Sequence, residues 1–117
     1  MVVSLDSSDA SLDDSAPETI EAPNNVPCET VRCWLEDAGW PEEAIPDALR
    51  VIQCESGGNP LAVGDHGASL GLFQLWYGHF YPGEDWRSPR ENAAVALRVY
   101  LREGWRPWTC ARLVGVY

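Results

Sequence analysis

The sequence predicts a small, mostly α-helical domain, and three observations carry that prediction. Apolar residues recur at helical spacing in two stretches, Val31-Trp34-Leu35-Ala38 and Ala48-Leu49-Val51-Ile52. A capping box with proline at the first helical position, Ser88-Pro89-Arg90-Glu91, opens a third helix. Each stretch runs into glycine, at Gly39, Gly57-Gly58 and Gly104, a residue that takes the left-handed conformation at a helix end without steric cost.

Length and charge bound what the chain can be. At 117 residues and 45% hydrophobic content it allows one domain with a packed core, here residues 27–117. Of the 18 acidic residues, Asp6, Asp9, Asp13, Asp14, Glu18 and Glu21 lie in a leader over residues 1–26 that has no basic residue. Rich in Ser, Asp, Pro and Asn, this leader offers too little apolar surface to offset ordering, so a disordered leader or linker is expected. All eight basic residues are arginines, and the net charge is −10. An acidic body argues against nucleic acid as a partner and gives no electrostatic help at an anionic wall or membrane. No apolar run reaches the roughly 18 residues of a transmembrane helix. Met1-Val2-Val3-Ser4 lacks the features of a secretory signal, so a signal already removed or another export route is expected.

Taken in order, the first helix covers Val31 to Ala38. Trp40 to Ile45 reads as a tight connection, and Pro46 and Asp47 suit the start of a central helix over residues 46–56. Residues 57–71, punctuated by Gly57, Gly58, Gly64, Gly67 and Gly71, read as a winding loop or small irregular hairpin. A short helix is expected to start near Gly71, ahead of an aromatic loop from Gly78 to Trp86. The last long helix spans residues 89–103, with Ala93, Ala96, Leu97, Tyr100 and Leu101 inward. Trp105 and Trp108 then return to the core.

Four cysteines stand at 28, 33, 54 and 110. Cys54 and Cys110 are too far apart to supply the second half of a zinc knuckle, so two disulfides are the better reading and no metal or cofactor is expected. Of the three pairings, Cys28–Cys33 with Cys54–Cys110 is preferred. On the chain-entropy estimate the long bridge contributes roughly 4 kcal/mol and the short one about 2 kcal/mol. Such bonds imply an oxidising, extracytoplasmic compartment.

Glu55 holds the most informative position. It falls in the last turn of the central helix, at the negative end of the dipole and among apolar neighbours, and both effects favour its protonated form. A general acid for glycoside cleavage needs such surroundings.

Glu55-Ser56-Gly57-Gly58-Asn59-Pro60, followed by Gly67-Ala68-Ser69-Leu70-Gly71-Leu72-Phe73-Gln74, resembles the paired signatures of soluble lytic transglycosylases in the lysozyme-like superfamily. Cys54 to Asn59 with Gly104 to Cys110 is similar to resuscitation-promoting factors, in which the matching cysteines are bridged. Gly64-Asp65-His66-Gly67 resembles the same interval of goose-type lysozymes. The resemblance covers about residues 45–112. It implies a lysozyme-like helical domain with a loop or minimal hairpin beside a cleft that takes peptidoglycan glycan strands. Glu55 would then be the catalytic acid at the bond between N-acetylmuramic acid and N-acetylglucosamine, in a monomer that needs no cofactor. A transglycosylase is the leading expectation. A hydrolase using Asp65 as second acid, or an inactive glycan-binding module, are the alternatives.

The candidate substrate-binding residues are Ser56, Ser69 and Gln74, on positions the resemblance compares; Trp76 and Tyr77, in an aromatic-rich stretch whose rings can stack on the apolar faces of sugars; and Tyr100, which on the last long helix either reaches Glu55 or, as the simpler reading, fills the core. Ser56 either fixes the Glu55 carboxyl or caps the helix end, and Gln74 either meets glycan or ties the loop down. Ser69 stands where chicken-type lysozymes carry their second acid. Trp76 replaces a goose-type aspartate. Asn92 is expected to brace the cleft wall. Neither histidine is assigned a role, and the Ala-Tyr-Asn-Ala-Gly motif of larger transglycosylases is missing.

Overall fold

A computed structural model describes residues 28–117, together with a two-residue antiparallel pair formed by β1 (Val3–Ser4) and β2 (Leu12–Asp13). Apart from that pair, the expected acidic leader lies outside the described residues. The domain is mostly helical with a small three-stranded sheet. Its order is α1 (Val31–Ala38), a 3-10 turn (Glu42–Ala44), α2 (Ile45–Ser56), the strands β3 (Val63–Gly64), β4 (Ser69–Leu70) and β5 (Leu75–Trp76), α3 (Pro89–Glu103) and α4 (Thr109–Leu113).

The long helices begin and end where the sequence signals place them. Thr30 Oγ1 accepts from Cys33 N–H to cap α1, and Gly39 at φ 94° stops it. Gly57 at φ 64° ends α2, directly after Glu55 and Ser56. Ser88 Oγ accepts from Glu91 N–H at 3.2 Å to cap α3. The box is only half closed, however, because the Glu91 carboxylate accepts from Asp85 N–H at 2.8 Å instead and braces the incoming loop. Ser88→Ala should therefore lower stability by about 1 kcal/mol, read as a shift of the denaturant midpoint. Glu91→Gln, which keeps an acceptor for Asp85, should shift it less.

The core is aromatic where the helices converge. Trp40 stacks on Phe73 with ring centroids 5.3 Å apart and also meets Tyr100 and Trp105, while Trp108 closes on Phe73 and Trp105. Burying an indole leaves one donor to satisfy. Trp40 Nε1 donates to Ala93 O at 2.8 Å, and Trp108 Nε1 donates to Phe73 O at 3.1 Å.

Two expectations are corrected here. Leu101 is 71% exposed, and Val95 and Val99 are buried in its place, because the inward stripe of α3 is set by Asn92, Ala93 and Ala96. No helix starts at Gly71. The chain makes a turn over residues 71–74, with Gln74 N–H donating to Gly71 O at 3.0 Å, and then enters β5. The region after α2 is thus a three-stranded antiparallel meander, β3-β4-β5, with Gly64 opposite Ser69 and Ser69 opposite Trp76.

Asn92 holds that meander to the helices. Fully buried, its Oδ1 accepts from Phe73 N–H at 2.9 Å and its Nδ2 donates to Leu70 O and Trp86 O at 3.0 and 3.2 Å. Gly71 lies against it at φ 77°, where an added Cβ would stand 2.4 Å from Asn92 Nδ2 and 2.7 Å from Trp86 O. Only glycine fits this approach. Both preferred disulfides are present, Cys28–Cys33 and Cys54–Cys110, and the second ties the end of α2 to α4.

Candidate active site

Where the end of α2, the meander and the segment leading into α4 meet, they enclose an open groove of about 410 Å³. Glu55, Asp65, Ser69, Gln74, Trp76, His79, Pro107, Trp108 and Thr109 line it. Polar groups stand on its α2 and hairpin sides, and Trp76, 54% exposed, supplies an open aromatic face.

Glu55 reaches this groove because α2 ends one residue later. Burial pushes its carboxyl above the usual range, and the negative charge of Asp65 pushes the same way. A hydrogen bond from the Cys110 backbone N–H, in the first turn of α4, opposes both. The carboxyl therefore keeps its proton to higher pH than a solvated glutamate.

Asp65 sits on a one-turn 3-10 segment, Asp65–Gly67, between β3 and β4. It is held by Ser69 Oγ, which donates to Asp65 Oδ2 at 2.5 Å. Asp65, His66 and Gln74 all have positive φ, at 51°, 57° and 50°. Gln74 lines the groove, but its amide is used by the fold: Nε2 donates to Ala62 O and Gly71 O at 3.0 and 3.1 Å, and Oε1 lies against Gly64. Of the two readings of Gln74, the loop tie accounts for both amide hydrogens.

Three other candidates lie outside the groove lining. Ser56 Oγ donates to Leu72 O at 2.6 Å and accepts from Gly58 N–H at 3.2 Å, so it caps the helix end and pins the meander. Tyr100 packs into the core with its ring 4.8 Å from Trp105 and 5.1 Å from Trp40. Tyr77 is 59% exposed beside Trp76, on the one-turn segment Tyr77–His79 at the groove's rim.

His79, given no role from sequence, lines the groove and meets the Trp76 ring edge-on at 5.6 Å. Its distance of three residues from Trp76 was the available signal, since one helical turn returns a side chain to the same side. Burial and the nearby guanidinium groups of Arg102 and Arg98 push its imidazole below the ordinary value, against the opposing charge of Glu103. Pro107 and Thr109 were likewise unassigned, and Trp108, expected in the core, is buried there and also lines the groove.

The rim loop is clamped to α3 by Arg98. Its guanidinium forks onto Glu84 at 2.8 and 2.9 Å, donates to His79 O at 2.8 Å and lies 3.9 Å over the Tyr81 ring. Those hydrogen bonds hold the Glu84 carboxyl down at about 2. A carboxylate with a depressed value stabilises the fold above its ordinary range, and that contribution is lost as pH falls from about 4.5 to about 2. Glu84→Gln should start less stable than wild type above that window, and the difference should close across it in acid titrations of the unfolding midpoint.

Among the described residues no group of three His, Cys, Asp or Glu side chains could hold a metal ion, and no helix is long and apolar enough to cross a membrane. Comparison of the chain with family models, curated proteins and solved structures finds no match.

Proposed function

We propose that this chain is a peptidoglycan-cleaving muramidase of the lysozyme-like type, acting as a lytic transglycosylase with Glu55 as both acid and base. The observation that carries this reading is a half-buried carboxyl, its proton retained by burial, at the wall of an open groove that an exposed indole also lines.

In the first step the Glu55 carboxyl gives its proton to the oxygen between muramic acid C1 and the glucosamine C4, and the C1–O bond breaks. The glucosamine leaves as an alcohol. The Glu55 carboxylate then takes the proton of the muramoyl 6-hydroxyl as that oxygen closes onto C1. A 1,6-anhydro end forms and the acid is restored without water entering. One carboxyl is enough for this cycle, and the engagement of Asp65 by Ser69 is compatible with its playing no covalent part. Two disulfides suit work outside the cytoplasm.

A hydrolytic variant is favoured by one observation, that Asp65 shares the groove and its charge acts on Glu55. Mass spectrometry of digested glycan strands separates the two. Anhydro-muramic ends support the transglycosylase. Reducing ends overturn it in favour of hydrolysis, and no cleavage at all overturns both.

A further inference from the structure

Of the ten glycines, eight take a positive φ, the conformation that glycine adopts at least cost. Gly64 and Gly78 do not, so at these two positions it is the space beside the backbone, and not its conformation, that calls for glycine. At Gly64 that space is filled by the Gln74 carboxamide. At Gly78 it is filled by an indole: an added Cβ would run into Cη2 and Cζ3 of Trp76 and stand 2.8 Å from its Cε3, so the six-membered part of the ring lies against the bare Gly78 backbone. Two further rings border the indole, His79 edge-on with centroids 5.6 Å apart and Tyr77 tilted at 5.4 Å. The turn that carries them is itself anchored. Tyr77 N–H donates to Ala68 O at 3.1 Å, and Arg98 on α3 donates to His79 O at 2.8 Å. Even so the indole stays 54% exposed and lines the groove.

An exposed tryptophan that is free to turn gives up side-chain freedom when a ligand stacks on it, and that loss subtracts from affinity. Here the ring is seated before any ligand arrives. Resting on the reading of this groove as a glycan site, we propose that Gly78 is a positioning residue for substrate. Its missing side chain lets the Trp76 indole fold back onto the chain and hold a preset flat face for a sugar ring to stack on. His79 and Tyr77 hem the ring in. Gly78 acts only through Trp76 and lies outside the acid–base step, which remains with Glu55.

The test measures the affinity of soluble, peptide-free glycan strands for Glu55→Gln protein by titration calorimetry, so that binding is read without cleavage. Gly78→Ala adds one methyl group where the indole rests. Because the φ at this position admits alanine and the ring is exposed, the ring should swing aside with the denaturant midpoint nearly unchanged. Binding should weaken roughly three- to tenfold, the scale of one aromatic stacking contact. In a Trp76→Ala background the same substitution should weaken it no further, since no ring is left to seat. Undiminished binding by Gly78→Ala overturns the proposal. A loss of equal size with and without Trp76 does so too, because the glycine would then act through the backbone. Trp76→Ala needs no room at position 78 and should weaken binding to the same extent; undiminished binding by that variant overturns the proposal however Gly78→Ala folds, and so does a parent that binds no strands. The enzymatic reading is tested separately. Gly78-dependent binding by a protein whose wild type cleaves nothing overturns the enzyme and leaves the platform standing, whereas cleavage with Gly78-indifferent binding does the reverse.

Discussion

Glu55→Gln should abolish clearing of cell walls while making the folded protein more stable at neutral pH. The amide keeps the shape of the side chain and cannot give up a proton, so turnover should fall on the order of a thousandfold, within the range for loss of a general acid. The stability change has the opposite sign. Burial and Asp65 raise the Glu55 carboxyl above its unfolded value, so its ionised form is disfavoured in the native state. Its favourable contribution is complete at low pH and is lost as pH rises through the raised value. A neutral glutamine escapes that loss. Thermal unfolding should thus show the variant ahead of wild type near neutrality, with the gap closing on acidification, and wild-type kcat/KM should fall on the alkaline side as the acid ionises. A variant that loses activity and stability together would make Glu55 a structural residue.

Removing the Cys54–Cys110 bridge should be the most damaging change to stability. Replacing both cysteines by serine releases a long loop in the unfolded chain and should cost roughly 4 kcal/mol, against about 2 kcal/mol for the Cys28–Cys33 pair. Denaturant midpoints measured on both double variants give the comparison directly. Equal losses would mean that local packing outweighs loop length. The longer bridge also bears on chemistry, because Cys54 precedes Glu55 in the chain while the Cys110 N–H hydrogen-bonds its carboxyl. Where the variant stays folded, its pH–rate profile should shift as that hydrogen bond loosens.

Much of the helical frame was legible because its signals are local. Ser88 caps, Gly39, Gly57 and Gly104 stop, and the apolar spacing between them needs no knowledge of the rest, whereas the Thr30 cap of α1 went unread. The meander was legible only as a loop or irregular hairpin, since strands of two residues carry no periodicity. What bends the chain at 71–74 is Asn92, about twenty residues downstream, whose amide meets Leu70 O and Phe73 N–H. Leu101 was misplaced for a related reason: several stripes of α3 are apolar, and only the partner helices decide which is buried. In the site, Glu55 and Asp65 were legible from their motifs, and they do share a groove. Ser56 was drawn toward it by the resemblance and Tyr100 by its place on the last long helix, yet the Leu72 carbonyl holds Ser56, and the rings of Trp40 and Trp105 give Tyr100 the simpler of its two readings, a core residue. His79 was missed because it was weighed only for metal-ligand spacing, where it has no partner, and its three-residue interval from Trp76 went unread.

The left-handed backbone at Asp65, His66 and Gln74 makes the hairpin a loaded spring, since side-chain-bearing residues adopt that geometry at an energetic disadvantage. The load is balanced by the Gln74 amide and by Asn92 beneath it, so the latch and the spring belong to the same few atoms. Losing either tie would leave the unfavourable backbone at Gln74 with fewer partners set against it, at a residue that lines the groove.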